Sequence, residues 1–290
     1  MAELEQHVVL PDGRRLGYAR FGNPGGPPIL YFHGFPASRL EAGILEAAAS
    51  RLGVSITAPD RPGFGLSDFQ PGRTILDWPG DVLHLADALG IERFFVMGGS
   101  GGCPYAAACA HRIPQRLVRV ATIAGLGPTT EAELSRPMGR AARLGFFLAR
   151  HAPLIFNVAY GGLGRVVARW PGLVFRLHDV TPPDQEVLAR ADVRAILTNS
   201  VQEAFRQGPA GALHELALLA HLWGFSLEEI PTAFDVWHGR QDGTVPPSMG
   251  EFLASRVPNS RLRLLADEGH ISVAVRHGAK IIEALLSPRP

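Results

Sequence analysis

Only two cysteines, Cys103 and Cys109, stand in the 290 residues, and they lie close together. That is too few and too local for a disulfide framework, and the spacing is not that of a zinc site. Both are expected to be reduced and partly buried. A charge excess is lacking as well: 28 basic side chains face 27 acidic ones, a formal net charge of +1. Counterion release on a nucleic acid requires basic side chains gathered along a groove or stripe. No such stripe stands out, so no nucleic-acid partner is expected. Lysine is nearly missing, Lys280 being the only one among the 28 basic residues, which reads as codon usage rather than function. No run of about 18 apolar residues occurs. The N-terminus, Met1-Ala2-Glu3-Leu4-Glu5-Gln6, offers no basic region followed by an apolar run. The expectation is therefore no membrane partner and a cytoplasmic location.

What is present is an ordinary globular composition, 46% hydrophobic and 19% charged, with 33 glycines and 24 prolines. The glycine and proline content stays short of the level that signals disorder, so these residues belong in ordered turns. The length suits one large α/β domain, or a core carrying a sizeable insertion. Early strands are read at Val8 to Leu10, Arg15 to Arg20 and Pro28 to Phe32. The first two form a hairpin about Pro11-Asp12-Gly13, which predicts an antiparallel sheet edge.

From there helices and apolar strands alternate: helix Arg39 to Leu52, strand Val54 to Ala58, helix Thr74 to Leu89, strand Phe94 to Met97, helix Cys103 to Arg112, strand Val118 to Ile123. Alternation of this kind predicts a mainly parallel sheet. Continuous apolar runs such as Phe94-Phe95-Val96-Met97 suit central strands covered on both faces. Between about Gly127 and Glu229 the strand signal disappears, and helices broken at Pro137, Pro153, Pro171, Pro182-Pro183 and Pro209 take over. The rhythm resumes with strand Thr232 to Trp237, a helix near Ser248 to Arg256, strand Arg261 to Leu265 and a helix from Ile271 to Leu286. Three segments follow: core 1–126, helical cap 127–229, core 230–290.

The chemistry concentrates in Gly98-Gly99-Ser100-Gly101-Gly102, set between an apolar strand and a small-residue helix. A serine on so tight a turn needs small neighbours, because side chains two positions away would collide with adjoining strands. The helix N-terminus beneath it supplies N–H groups and a positive dipole end for a developing oxyanion. Gly101 N–H is one expected donor and Ser100 the nucleophile. A serine hydroxyl needs a base, and the base an orienting acid. Asp242, in the turn after strand Thr232 to Trp237, is the acid candidate, and His270, before the last helix, is the base candidate.

The order Ser100, Asp242, His270, each after its own strand, resembles the α/β-hydrolase family. The resemblance covers about residues 5 to 125 and 230 to 287. It includes His33-Gly34-Phe35-Pro36, where family members place a second oxyanion donor, here Phe35 N–H, and Asp60-Arg61-Pro62-Gly63-Phe64-Gly65-Leu66-Ser67, a loop frequent in capped members. It implies a mostly parallel eight-stranded sheet with helices on both faces and a helical cap insertion. The activity it implies is that of a serine hydrolase, foremost a carboxylesterase on small to medium apolar esters, with no metal and no cofactor. The same fold serves peptidases, lactonases, C–C hydrolases, acyltransferases and lyases, and a non-catalytic ligand receptor is the rival from another class. Epoxide hydrolases and dehalogenases of the family carry an aspartate at the nucleophile position, so Ser100 argues against that chemistry.

Other residues receive plainer readings. Glu131 is the competing acid after the sixth strand. His33 resembles the family's structural histidine, and Asp60 and Arg61 are read as an ion pair holding their loop. Cys103 is read as packing, Asp267 and Glu268 as neighbours tuning His270, and His214 and His221 as surface or packing histidines. Leu144 to Leu148, Leu154 to Phe156, Trp170, Phe175 and Leu216 to Phe225 are expected to roof the site. The partner is a small-molecule ester, with homo-oligomerisation left open.

Overall fold

Phe94 and Val96 enter one hydrophobic cluster while Phe95 and Met97 face another, so a strand with no polar face must be covered on both sides. The computed structural model describes residues 2–177 and 179–288. It contains strands β1 (Glu3–Val9), β2 (Arg15–Gly22), β3 (Pro28–Phe32), β4 (Ser55–Pro59), β5 (Phe94–Gly99), β6 (Leu117–Ile123), β7 (Phe234–Gly239) and β8 (Ser260–Leu265). They form one sheet in the order β1-β2-β4-β3-β5-β6-β7-β8. The β1/β2 and β2/β4 pairs are antiparallel and the others parallel. The expected antiparallel edge is present, and β5 is central. Gly13, at φ +85°, closes the β1–β2 turn by donating to Leu10 O at 2.9 Å.

Helices α1 (Glu46–Leu52), α2 (Trp78–Ala88) and α3 (Cys103–Arg112) lie between the early strands. Between β6 and β7 come α4 (Ala132–Ser135), α5 (Arg140–His151), α6 (Pro153–Arg169), α7 (Val174–Leu177), α8 (Pro182–Leu188), α9 (Ala191–Ala204) and α10 (Ala210–Ala220). The chain ends with α11 (Pro247–Arg256) and α12 (Ser272–Leu286). On one sheet face α2, α3 and α11 bury Trp78, Val82, Ala106 and Met249 against Phe32, Val96 and Val236. On the other, α1 and α12 bury Ala49, Ile281 and Ile282 against Ile56, Met97 and Ile123. Each large aliphatic or aromatic side chain taken out of water contributes about 1.5–3 kcal/mol, which makes this two-layered core the main source of stability.

Several sequence expectations need correction. The helix foreseen over Arg39 to Leu52 is a 3-10 turn, Arg39–Leu45, followed by α1. Its interior Gly43 packs beside Ile196 and Phe21, and glycine disfavours a continuous α-helix there. The helical run is interrupted at Pro153 and Pro182 as expected, and each proline opens the next helix, α6 and α8, since a proline in the first turn forfeits no intrahelical bond. Asp60 and Arg61 do not pair with each other. Asp60 takes Arg39 at 2.8 Å, and Arg61 takes Glu215 of α10 at 2.7 Å, because the loop backbone sends neighbouring side chains to opposite partners.

Candidate active site

Ser100 directly follows β5 at φ +47°, left-handed backbone that L side chains rarely adopt. The turn is held there by close packing. A Cβ on Gly102 would lie 2.2 Å from Phe32 O, and one on Gly98 would lie 2.8 Å from Gly102 O. Larger residues at either position would push β5 from β3 or α3. The strained turn lifts the serine out of the sheet and runs through a 3-10 turn, Ser100–Gly102, into α3. Gly101 and Phe35 face one another across the turn: a Cβ on Gly101 would lie 3.4 Å from Phe35 N.

The loop that carries Phe35 is braced from behind. His33 is fully buried; its Nδ1 donates to Gly34 O at 2.9 Å and its Nε2 accepts Arg61 N–H at 3.2 Å. Burial first, then the Arg61 guanidinium, pushes the His33 pKa well below the ordinary value, so its role is structural. Arg61 also donates to Gly34 O at 3.0 Å and lies 4.8 Å over the Tyr105 ring. Glu215 completes the knot by pairing with Arg61 and Arg73 and accepting the Tyr105 hydroxyl.

Asp242 and His270 come together after β7 and β8. His270 Nδ1 lies 2.8 Å from Asp242 Oδ2, and Asp242 Oδ1 accepts the N–H groups of Thr244 at 2.9 Å and Val245 at 2.8 Å. Burial alone would raise the Asp242 pKa; the His270 charge and the bonds to His238 and His270 overcome it and hold the carboxylate well below its usual range. Burial likewise pushes His270 down, but Asp242, Asp184 and Glu41 reverse this and leave it raised. Ser100 and His270 border the same small cavity of about 80 Å³. A second, apolar cavity of about 250 Å³ is also bordered by Ser100 and is walled by Phe35, Phe146, Phe156, Val167, Leu216 and Leu219.

Three supporting residues escaped sequence reasoning. Asp184, on α8, accepts the backbone N–H groups of His270, Ile271 and Ser272 at 2.8 to 2.9 Å, fixing the histidine's loop from the inserted segment. His238 is buried and shares its Nε2 proton between Val245 O at 2.9 Å and Asp242 Oδ2 at 3.3 Å. Glu41 accepts Gly34 N–H at 2.7 Å and the Tyr31 hydroxyl at 2.9 Å and borders the small cavity. These contacts join distant parts of the chain, so no local motif announces them.

The remaining candidates fall elsewhere. Glu131 is exposed where α4 begins. Asp267 is exposed too, and Glu268 is engaged by His277 at 2.8 Å and Arg276 at 3.4 Å, so the leading charges that hold His270 up are Asp242, Asp184 and Glu41 instead. Cys103 is fully buried with its thiol pKa pushed up by desolvation, as packing requires. His214 Nε2 donates to Arg73 O, and His221 Nδ1 to Ala217 O. Of the foreseen roof, Phe146, Phe156, Leu216 and Leu219 face the cavity, whereas Leu144, Phe147, Leu154, Ile155, Trp170 and Leu222 face outward. The helical period that buries one face of α5 and α6 necessarily exposes the other. Among the described residues no three His, Cys, Asp or Glu side chains gather as a metal-ligating group.

Comparison with known proteins agrees with this architecture. Residues 27–276 match the model of the alpha/beta hydrolase fold. The chain is 34% identical over 117 residues to the dihydrolipoyllysine-residue acetyltransferase component of the acetoin cleaving system of Cupriavidus necator, a match covering 40% of this chain but only 31% of that protein. It is 25% identical over 281 residues to the 2-hydroxymuconate semialdehyde hydrolase of Pseudomonas putida, covering 90% of this chain and 88% of that one. The solved esterase RhEst1 from Rhodococcus sp. ECU1013 shares the fold at a TM-score of 0.69 and 21% identity, covering 98% of this chain and 99% of the esterase. Because the family match runs from before β3 into α12 and takes in strands β3 to β8, with Ser100, Asp242 and His270, the chain belongs to the alpha/beta hydrolase fold family.

Proposed function

We propose that this protein is a serine hydrolase that cleaves carboxylic esters with a largely apolar acyl group, through an acyl-enzyme on Ser100. The observation that carries the reading is the 2.8 Å His270–Asp242 contact, with His270 and Ser100 opening onto one cavity. His270 takes the Ser100 proton, the serine oxygen attacks the ester carbonyl, and the Gly101 and Phe35 N–H groups receive the oxyanion. Asp242 holds the imidazole tautomer and stabilises the imidazolium. His270 then protonates the departing alcohol and activates the water that releases the acid.

The two cavities divide the substrate. The leaving group and the later water must both reach His270, so they belong in the small cavity that it borders. The acyl chain then occupies the apolar cavity, where exclusion of water strengthens the oxyanion contacts. The helices between β6 and β7 serve as a cap, supplying Phe146, Phe156 and Leu216 to that cavity. A similar esterase and a similar semialdehyde hydrolase support hydrolytic chemistry in this framework.

The test is hydrolysis of p-nitrophenyl esters of increasing acyl length, with Ser100→Ala alongside. Serine-dependent turnover with a chain-length optimum supports the reading. A folded protein inert across the series, or an active Ser100→Ala variant, contradicts it.

A further inference from the structure

We propose that the α5–α6 hairpin is a peripheral docking surface for anionic lipid bilayers. From Leu134 to the residue before Asp179 the sequence contains no acidic side chain but seven arginines, leaving the acidic excess to the rest of the chain. Eight of the fourteen large hydrophobic residues exposed among the described residues lie on this hairpin or at its end, Leu154 at 81% and Val158 at 80% the most open. On α5 the exposed positions Arg140, Leu144, Phe147 and His151 recur at helical spacing, and on α6 Leu154, Val158, Arg165 and Arg169 do the same. The helices close on one another at Gly145, where a Cβ would lie 2.8 Å from the Tyr160 hydroxyl, so both stripes belong to one packed hairpin.

Arginine stems can lie along apolar surface while their heads reach phosphates, and Trp170 at the end of α6 is an amphipathic anchor suited to a headgroup layer. Arg169 already stacks on Trp170 at 4.8 Å. A second copy fits the same hairpin poorly, since two-fold pairing sets arginine against arginine with no acid on either helix to neutralise them. The face also adjoins the substrate route: Arg140 and Leu163 are exposed and at the same time line the apolar cavity. The lack of a spanning segment does not bear on this mode, which needs only one wet and one greasy face.

Sedimentation of the whole protein with vesicles tests it, comparing phosphatidylcholine alone with an equimolar phosphatidylcholine–phosphatidylglycerol mixture. Binding to the anionic vesicles is expected to weaken in high salt and to fall about tenfold or more in Leu154→Glu/Val158→Glu. Hydrolysis of a soluble short ester should be unchanged in that variant, and Leu262→Glu on β8 should bind as the wild type. Wild type left in the supernatant, equal binding to neutral vesicles, or undiminished binding by the double variant overturns the proposal. So does a dimer in sedimentation velocity that the double variant splits, which assigns the face to self-association.

The small cavity carries a second inference, which rests on the serine-hydrolase reading. We infer that Glu41 is a positioning residue for the water that releases the acyl group. Its Oε2 is occupied by Gly34 N–H and the Tyr31 hydroxyl. Its Oε1 and Ser100 flank Gly34 within one cavity that His270 also borders: a Cβ on Gly34 would meet Glu41 Oε1 at 3.1 Å and Ser100 Cβ at 3.4 Å. In the second half-reaction one water proton passes to His270, the water oxygen bonds to the acyl carbon, and the Ser100–acyl bond breaks as His270 returns the proton to the serine. Glu41 Oε1 accepts the other water hydrogen and so aims the attacking lone pair.

Pre-steady-state kinetics with a p-nitrophenyl ester distinguish this from a mere brace of the Gly34 loop. Glu41→Gln keeps an acceptor for Gly34 N–H but loses the charge. Its deacylation should slow at least about tenfold more than its acylation, so that a stoichiometric burst appears. Glu41→Asp, which withdraws the carboxylate by one methylene, should show the same split if Glu41→Gln fails to fold. Equal slowing of both steps, or no slowing, overturns the inference while leaving the serine chemistry standing. A wild type without ester turnover refutes the reading beneath it instead.

Discussion

Ser100 holds a backbone conformation that costs a non-glycine residue about 1–2 kcal/mol. Glycine would relieve that strain but surrender about 0.5–1 kcal/mol through its freer unfolded chain. Ser100→Gly is therefore expected to be more stable than Ser100→Ala by about 0.5–1 kcal/mol in chemical denaturation. Equal stabilities would mean that the turn is relaxed. The neighbouring His270 gives a pH-dependent counterpart. Its pKa is raised despite burial because Asp242 first, then Asp184 and Glu41, favour the charged ring. Catalysis needs the neutral ring, so kcat/KM should rise with pH through a midpoint above the ordinary value of about 6.5. Asp242→Asn should move that midpoint down and lower the rate by about a thousandfold or more; a pH–rate series with an unmoved midpoint would assign the acid elsewhere. Ser100, Asp242 and His270 were legible because each follows a strand in a turn of distinctive composition. Asp184, His238 and Glu41 were not, because their value depends on which distant backbone or ring they meet.

The elements show where local pattern suffices and where packing decides. Strand β3 and helix α3 fall at the residues expected, since apolar runs and a glycine-to-alanine change mark their ends. The 3-10 turn before α1 was invisible because propensity rules do not register a glycine wedged against a helix from the inserted segment. Helix α10 illustrates a cost hidden from sequence. Its Glu215 is fully buried between Arg61 and Arg73, whose charges outweigh desolvation and keep its pKa low. Glu215→Ala leaves two buried guanidiniums without their shared counter-charge and should cost about 3–5 kcal/mol, read as a loss of unfolding free energy. A loss below about 1 kcal/mol would mean that water replaces the carboxylate freely. Asp184→Ala on α8 frees three backbone N–H groups at the start of α12 and should cost about 0.5–2 kcal/mol. It should also lower kcat, because the His270 loop loses its anchor.

Over the whole molecule the sheet places Ser100, Asp242 and His270 at the carboxyl ends of β5, β7 and β8, on one rim, although 170 positions of sequence separate the first from the last. The inserted helices cover that rim with an apolar inner wall and turn an arginine-rich, apolar outer face to solvent. The alternation of apolar strands and helices made the parallel sheet legible, since both sheet faces must be covered. The outward face was not, because its basic residues are balanced by acids elsewhere in the chain and vanish from the net charge. The claim on which all else depends is that Ser100 is an activated nucleophile. A fluorophosphonate probe followed by peptide mapping tests it directly. One adduct per chain on Ser100 is expected, absent in the unfolded protein and strongly slowed in His270→Ala. No adduct on the folded protein, or modification at Cys103 in place of Ser100, would contradict it.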